Sequence, residues 1–163
     1  MNKLIAVAFT SLALIAFQKK HTDWKTFVPL VTTRPQVEAD LGISTSGKDN
    51  IFVYETPDEK VTFWYGAGKV LGKDVCCLKV PNEILFKFVL VPKRTVSLTE
   101  MNIDLAAFRK EKALEMVNDY YYYNENEGTT ITTRIAEGKE VLLSIERGPN
   151  SAQRQEYCRK TNC

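Results

Sequence analysis

Apolar and polar residues alternate most clearly between residues 51 and 65. In the second half of this stretch Val61, Phe63 and Tyr65 share one face, and the residues between them share the other, as in a half-buried β-strand. Residues 56–59, Thr-Pro-Asp-Glu, separate the two halves and have the composition of a turn. The proline presets φ, and the aspartate can accept a local backbone hydrogen bond. The stretch therefore predicts a β-hairpin.

Several later stretches predict further strands of the same sheet. Residues 83–91 place apolar side chains on both faces, with Phe86 and Phe88 on one face and Leu85 on the other. A strand that is apolar on both faces is expected at the centre of a sheet. The other predicted strands cover residues 75–80, 119–123, 129–135 and 140–145. Residues 96–103 are compatible with either a strand or a loop.

A short helix is predicted before the hairpin, from Arg34 to Leu41. Thr33 and Gln36 have the spacing of a capping box, and proline is well tolerated in a first helical turn. Gly42 is expected to end the helix as a left-handed residue. Because two turns are too few for an isolated helix, this one must pack against the sheet.

A second helix is predicted from Leu105 to about Met116, with Asp104 as its N-cap. The fold class that follows is α+β, an antiparallel sheet with two short helices packed on it. Each half of the chain then contains a helix, a strand with tyrosine near its end, an acidic turn and a β-rich return strand. This similarity favours a tandem helix–hairpin repeat.

The first 17 residues have the pattern of a secretory signal peptide. One lysine precedes an apolar run from Leu4 to Phe17, which a polar stretch ends abruptly. A run of this length is too short to span a bilayer as a helix but suits a secretory leader. An uncleaved anchor and a buried helix are the alternatives. The prediction is a signal peptide at 1–17 and a single α+β domain at 18–163, secreted or periplasmic and without a membrane span after cleavage. Residues 148–163 are expected to form a polar tail, poorly ordered unless a disulfide holds it.

The four cysteines, Cys76, Cys77, Cys158 and Cys163, are an even number, as expected for disulfides in an exported chain. A bond between the adjacent Cys76 and Cys77 would be strained, so we expect at least one of them to pair with the C-terminal tail. A redox-active pair and a metal site are the alternatives. The metal interpretation is weaker because no Cys-x-x-Cys motif and no nearby histidine support it.

Composition and charge exclude several functional classes. Hydrophobic residues make up 44% of the 163 residues, which suffices for one core, and the net charge of +2 favours no nucleic-acid partner. The single histidine, His21, lies beside the leader, so histidine-dependent nucleophilic catalysis and most zinc sites are not expected. We therefore predict no cofactor, no metal and no catalytic residue.

Paired carboxylates could still support hydrolysis without a histidine. The two acidic pairs, Asp58/Glu59 and Glu125/Glu127, fall in predicted turns, where we expect them to be solvated. Calcium binding near residues 124–128 is conceivable, but the ligand spacing of an EF-hand is absent.

Aromatic residues on the strands are the best candidates for a binding surface. If Val61, Phe63 and Tyr65 face the core, Trp64 must face the other side of the sheet. The run of four tyrosines at 120–123 places two rings on each face, and Tyr121 and Tyr123 share one of them. Exposed aromatic side chains commonly anchor protein contacts. The alternative is that a helix or second layer covers these rings.

The residues Thr33, Val37, Leu41-Gly42 and Tyr54, followed by the strand at 61–63, resemble the SmpA/OmlA family of small bacterial envelope proteins. They are also similar to the β-lactamase-inhibitor-like fold, in which a helix–sheet unit occurs in tandem. The resemblance covers about thirty residues. It implies a secreted or periplasmic module that binds proteins on a sheet face and catalyses no reaction.

The predicted function is an exported, non-enzymatic protein-binding or structural module with an envelope or extracellular partner. The alternatives are a secreted carboxylate-dependent hydrolase acting on glycans and a carrier of a small apolar ligand. The identity of the partner, the disulfide pairing and the oligomeric state are left open by the sequence.

Overall fold

The computed structural model describes residues 22–68, 80–114 and 116–160. The strands are β1 (Ser46–Lys48), β2 (Ile51–Glu55), β3 (Glu59–Tyr65), β4 (Leu85–Pro92), β5 (Arg109–Lys112), β6 (Asp119–Asn124), β7 (Thr129–Ala136) and β8 (Lys139–Arg147). The helices are α1 (Arg34–Leu41) and α2 (Ser151–Lys160), and a single 3-10 turn covers Trp24–Thr26.

All eight strands belong to one antiparallel sheet with the order β1-β2-β3-β4-β8-β7-β6-β5. Strands β1–β4 form one meander and β5–β8 form another, and the last strands of the two meanders pair at the centre of the sheet. The predicted α+β class, an antiparallel sheet with two helices, is therefore confirmed, although the sheet dominates the fold. Within the described residues, no helix is both long and apolar enough to cross a bilayer.

The predicted hairpin is confirmed as β2 and β3, and its apolar face lies in the core. Val61, Phe63 and Tyr65 are at most 1% exposed. We call the face that they share the inner face of the sheet and the opposite one the outer face. The ring of Phe63 lies 5.2 Å from that of Phe27 and 5.5 Å from that of Phe88, both in edge or tilted contacts. Aromatic packing of this kind adds to the stabilisation from buried area.

Two segments cover the inner face, one that precedes the first strand in the chain and one that follows β4. Trp24, Phe27 and Val37 join its core cluster from the N-terminal side, and Val96 and Met101 join it from the β4–β5 connection. Residues 96–103, for which the sequence allowed a strand or a loop, are thus a packed connection with one isolated bridge, from Ser97 to Val141.

The turn at residues 56–59 differs from the prediction in its hydrogen bonds and its burial. Thr56, rather than the aspartate, closes the turn, because its Oγ1 accepts the Glu59 N–H at 3.0 Å. Asp58 and Glu59 were expected to be solvated but are 7% and 0% exposed. Glu59 points to the inner face in the alternation of β3, where Oε2 accepts the Thr22 N–H at 3.2 Å. The carboxylate of Asp58 lies 3.6 Å from Arg94.

Helix α1 has the predicted bounds and the predicted ends. The Thr33 N–H donates to Gln36 Oε1 at 2.8 Å, which satisfies one of the free donors of the first turn. Gly42 ends the helix with φ +82°, and its N–H donates to the Glu38 carbonyl. Val37 is fully buried and attaches the helix to the core.

The helix predicted for residues 105–116 is wrong. Asp104 accepts the Ala106 N–H in a local turn instead of capping a helix. Residues 109–112 form the edge strand β5, which pairs with β6. Leu105 and Phe108 pack against the core from irregular backbone, so their helical spacing did not indicate a helix. The tertiary pairing overrides a helix propensity that is weak by itself.

Two further features, one in the C-terminal tail and one in β4, also differ from the sequence prediction. The tail, predicted to be poorly ordered unless a disulfide holds it, contains α2, which has no buried residue and carries the disulfide-bonded Cys158. In β4, the register against β3 shifts between Trp64 and Tyr65, so Leu85 joins Phe88 and Leu90 in the core. The simple alternation had placed Leu85 on the opposite face. The strand predicted at 75–80 lies almost wholly outside the described residues.

A polar cluster at the inner face holds the second meander together. Oε1 of Glu140 accepts hydrogen bonds from Tyr122 Oη at 2.8 Å and from Thr133 Oγ1 at 2.6 Å. Lys110 Nζ lies 3.2 Å from both carboxylate oxygens, and it also lies over the rings of Tyr120 and Tyr122. Partial burial acts to raise the pKa of Glu140, but the accepted hydrogen bonds hold that pKa below its usual value. The cluster thus connects β5, β6, β7 and β8.

We expect Glu140→Gln to lower the free energy of unfolding at pH 7 by about 1–3 kcal/mol, because charge-assisted hydrogen bonds are lost. The pKa of Glu140 is lowered by folding, so its contribution is present above the unfolded pKa and disappears as pH falls through the folded value. The difference between wild type and variant should therefore shrink in acid. Denaturant melts at neutral and acid pH measure it, with the exposed Glu137→Gln as control. An equal difference at both pH values would contradict this assignment.

Neighbouring residues of β3 provide a matched test of the two faces. Phe63→Ala removes a fully buried ring and should lower the free energy of unfolding by about 3–5 kcal/mol. Trp64→Ala removes a half-buried ring from the outer face and should cost about 1 kcal/mol or less. Chemical denaturation of both variants checks the ranking. A larger loss at Trp64 than at Phe63 would show that the faces are assigned the wrong way round.

Candidate functional site: the outer face of the sheet

The three aromatic residues proposed from sequence as a binding surface lie on the outer face. Trp64 alternates with the buried Phe63 and Tyr65 on β3, and Tyr121 and Tyr123 alternate with the buried Tyr122 on β6. All three side chains are half-buried, and none belongs to the core cluster. The structure thus brings them to one face; alternation had predicted the face of Trp64 and two tyrosine rings on each face of β6, but not which pair joins Trp64.

A continuous row of paired residues crosses the outer face from one edge of the sheet to the other. Its members are Ser46, Val53, Thr62, Val89, Glu146, Thr130, Tyr123 and Arg109. Every step in the row is a registered cross-strand pair, so the face is continuous across the central β4–β8 junction. The row is β-branched or aromatic at most positions, which suits a flat contact surface.

On the first meander, a cation and a carboxylate accompany the tryptophan. Lys87 Nζ lies 4.7 Å from the centre of the Trp64 ring and 3.5 Å from Glu146. The lysine therefore bridges the aromatic ring of one meander and the acidic side chain of the other. Because both charged groups are partly exposed, this ion pair contributes little stability by itself, and both remain accessible to a partner.

On the second meander, the tyrosines carry a similar arrangement. The rings of Tyr121 and Tyr123 lie 6.0 Å apart, and the guanidinium of Arg109 lies 5.8 Å from the centre of Tyr123. Arg109 also pairs with Glu111 at 2.8 Å and with Glu125 at 3.6 Å. Each aromatic group thus lies beside a cation and a carboxylate, although the carboxylate beside Trp64 comes from the second meander.

The two aromatic groups are too far apart for one small ligand. Trp64 on β3 and Tyr123 on β6 are separated by four strand-to-strand steps, which is about 19 Å at 4.8 Å per step. A molecule that contacts both groups must therefore have the dimensions of a protein surface or a polymer.

In the part of the chain that the structure describes, most covering segments lie on the other side of the sheet, whereas Pro149 and the α2 residue Arg154 line a pocket with Tyr123, Thr130 and Glu146 on the outer face. The segments that supply Trp24, Val37 and Val96 pack on the inner face. On the outer face, Ile51 and Val91 are 38% and 42% exposed, although both are apolar strand residues. This exposure is what an uncovered sheet face produces.

The two edges of the sheet are poor places for a partner to add a strand. Strand β1 has three residues, and β5 consists of the four charged residues Arg-Lys-Glu-Lys, all exposed. Short and charged edge strands are common devices against edge-to-edge association. Binding through the face is therefore favoured over binding through an edge.

The two pairs of carboxylates considered from sequence lie in different surroundings. Asp58 and Glu59 are buried in the β2–β3 turn, while Glu125 is exposed in the β6–β7 turn, beside Arg109. Across the described ranges, no three side chains of His, Cys, Asp or Glu come together as metal ligands would. The oxygen-rich stretch at residues 124–128, which is described in full, contains no such group of side chains.

One of the four cysteines lies among the described residues. Cys158 lies on α2, is the one cysteine among the described residues and is disulfide-bonded. Cys76, Cys77 and Cys163 lie outside the described residues. No complete disulfide can therefore be described, and the pairing stays a prediction.

Sequence reasoning missed the charged members of the face. The sequence patterns assigned no role to Lys87, and Arg109 lies within the helix predicted at 105–116, which does not form. The alternation of β4 does place Lys87 opposite the core. Its contact with Trp64, however, depends on the β3–β4 register, which the sequence did not reveal.

Comparisons with known proteins do not assign a family. No family model, curated protein or solved structure matches this chain. The resemblance to the SmpA/OmlA and β-lactamase-inhibitor-like groups therefore stays a prediction.

The two tryptophans should differ in accessibility to a quencher. Trp24 is 3% exposed, whereas Trp64 is half-buried on the open face. We expect Trp64→Phe to remove most of the acrylamide-quenchable tryptophan fluorescence, because the remaining Trp24 is shielded by the core. Stern–Volmer plots of wild type and variant measure this. An unchanged slope would mean that Trp64 is covered.

Proposed function

We propose that the protein is an exported, non-enzymatic module that binds an envelope or extracellular protein through the outer face of its sheet. The observation that carries this proposal is the continuous outer face of the sheet. Trp64 lies on this face in one meander, and Tyr121 and Tyr123 lie on it in the other. Aromatic residues are enriched among the anchors of protein interfaces, and charged residues around them add specificity.

The dimensions of the face support a protein partner. Its two aromatic groups lie about 19 Å apart, which is within the width of an ordinary protein interface. Lys87 and Glu146 lie between them and carry opposite charges, so the face does not select a strongly acidic or strongly basic partner. The charged edge strand β5 directs a partner to the face and away from the edge.

Export is supported by the sequence alone. The apolar run from Leu4 to Phe17 precedes the first described residue, Thr22, so the signal peptide lies outside the described part of the chain. Four cysteines in a domain of this size suit an oxidising compartment. We therefore propose a secreted or periplasmic location.

We also propose that the two meanders are related as a tandem repeat. Both have four strands, and each ends in the strand that pairs at the centre, so the strand order is symmetrical about β4–β8. Only the first meander is preceded by an α-helix, which makes the repeat less regular than the helix–hairpin form predicted from sequence.

The test is retention of a partner from the envelope fraction of the native host on immobilised protein. We expect Trp64→Ala combined with Tyr121→Ala to reduce the amount of the specific partner at least tenfold, because both anchors are lost. A photo-cross-linking residue at Thr62, on the outer face of β3 two residues from Trp64, should label the same partner.

The matched control is a double variant at two exposed apolar residues of the β5–β6 connection, Leu114→Ala with Val117→Ala, which are 103% and 81% exposed. It should retain the partner at the wild-type level. Far-ultraviolet circular dichroism and thermal melts confirm that each variant is folded. If the Trp64/Tyr121 variant retains the partner and the Leu114/Val117 variant loses it, the outer face is not the binding site.

A further inference from the structure

A second candidate site lies on the inner side of the first meander, away from the outer face. A cleft of about 450 Å³ lies between the 3-10 turn, the C-terminal end of α1 and the β2–β3 turn. Its walls include four polar residues, Thr22, Asp23, Asp40 and Thr56. Thr22 is also the first described residue, so residues 18–21 enter the described structure at this cleft.

A fully buried carboxylate lies directly behind the cleft. Glu59 is 0% exposed, and its Oε2 accepts the Thr22 N–H at 3.2 Å. Thr56, in the wall of the cleft, fixes the same residue, because its Oγ1 accepts the Glu59 N–H at 3.0 Å. Burying an ionised carboxylate is costly unless a cation and hydrogen-bond donors compensate it. Because Glu59 accepts the amide of Thr22, the residues before Thr22 enter beside this buried charge.

Acidic side chains dominate the charge around the cleft. Among the described residues that line it, the charged ones are Asp23 and Asp40, both acidic. In the adjoining β2–β3 turn, Asp58 is 7% exposed. Arg94 lies 3.6 Å from Asp58 but also 3.6 Å from Glu100, so its charge is shared between two carboxylates. The cleft therefore attracts a basic group.

The end of α1 adds to this negative potential. The carbonyl groups in the last turn of a helix carry partial negative charge, and basic side chains are favoured beside them. Helix α1 has no basic residue in its last turn and has Asp40 there instead. Asp40 and Leu41, its last two residues, both line the cleft. A cation in the cleft therefore offsets the helix end as well as the carboxylates.

The segment that precedes Thr22 carries the matching charge. Residues 18–21 are Gln-Lys-Lys-His, a basic run that follows the apolar stretch of the leader. One peptide bond joins them to Thr22, and four extended residues reach about 13 Å. Because the segment starts at the wall of the cleft, this reach covers the cleft and the buried carboxylate behind it. The chain thus supplies a basic segment where the described residues form an acidic cleft.

We propose that residues 18–21 occupy this cleft, with their cationic side chains directed at the carboxylates of Asp58 and Glu59. The folded domain then begins at Gln18, the first residue after the predicted leader, and not at Thr22. The segment is present before and after leader removal, so its docking is independent of the proposed export and of the outer face.

The first experiment is an NMR measurement on the isotope-labelled mature chain, which begins at Gln18. His21 is the single histidine, so its ring protons give unique resonances. We expect NOEs from this ring to methyl groups of Leu41 or Thr56, which line the cleft. A mixed sample of labelled and unlabelled chains shows whether these contacts lie within one molecule. The proposal is overturned if the ring shows only sequential NOEs, or if the contacts arise between two molecules.

The second experiment compares two triple variants of the mature chain by chemical denaturation. The first removes the cations of the segment through Lys19→Gln, Lys20→Gln and His21→Gln. The control removes three exposed cations elsewhere through Lys48→Gln, Lys112→Gln and Lys139→Gln. We expect the first to raise the unfolding equilibrium constant about tenfold or more, because the buried carboxylates lose opposing charge, and the control to leave it nearly unchanged. Equal effects of the two variants contradict the proposal.

Neutralising the buried carboxylates shows whether they are what the segment contacts. In a background of Asp58→Asn with Glu59→Gln, the segment has lost its counter-charges, so the same triple substitution should have at most about a third of its effect on the unfolding constant. An undiminished effect would show that the segment acts elsewhere in the protein. If this background does not fold, the NOEs of His21 decide the question.

Discussion

The pairing of β4 with β8 is the interaction on which the rest of the structure depends. Three registered residue pairs make this junction: Phe88 with Arg147, Val89 with Glu146, and Leu90 with Ile145. On the inner face, Leu90 and Ile145 continue a buried row from Tyr54 and Val61 on one side to Ile131 and Tyr122 on the other. On the outer face, Val89 and Glu146 continue the row that leads to Tyr123. Without this junction there would be two small sheets, each with a marginal core.

The junction also determines how the two faces differ. Because the core segments pack on the inner face, buried area is concentrated there, and the aromatic cluster around Phe63 is its densest part. Arg147 strengthens this arrangement, because its Nη1 donates to the Lys25 carbonyl at 3.0 Å and so ties the N-terminal segment to the end of β8. The outer face is left with half-buried aromatic rings and paired charges, a composition that tolerates water and suits a reversible contact.

Local features were predictable from sequence, and non-local features were not. The hairpin, α1 and strands β6, β7 and β8 follow from alternation, capping and turn residues that lie close together in the chain. The face of Trp64 follows from the same alternation, whereas the choice of Tyr121 and Tyr123 for the outer face depends on the burial of Tyr122. By contrast, the burial of Glu59 depends on residues near Thr22, and the strand β5 depends on its pairing with β6. The contacts of Lys87 and Glu146 depend on the β4–β8 register, which no local pattern specifies.

The most direct test of this account is a set of cross-strand NOEs measured on the labelled mature chain. One continuous sheet requires proton contacts between Val89 and Glu146 and between Leu90 and Ile145, together with the contacts within each meander. Their observation would establish the junction and, with it, a single open outer face. If contacts within each meander are present but those between β4 and β8 are absent, the two meanders pack in another way. The continuous outer face proposed as the binding surface would then not exist.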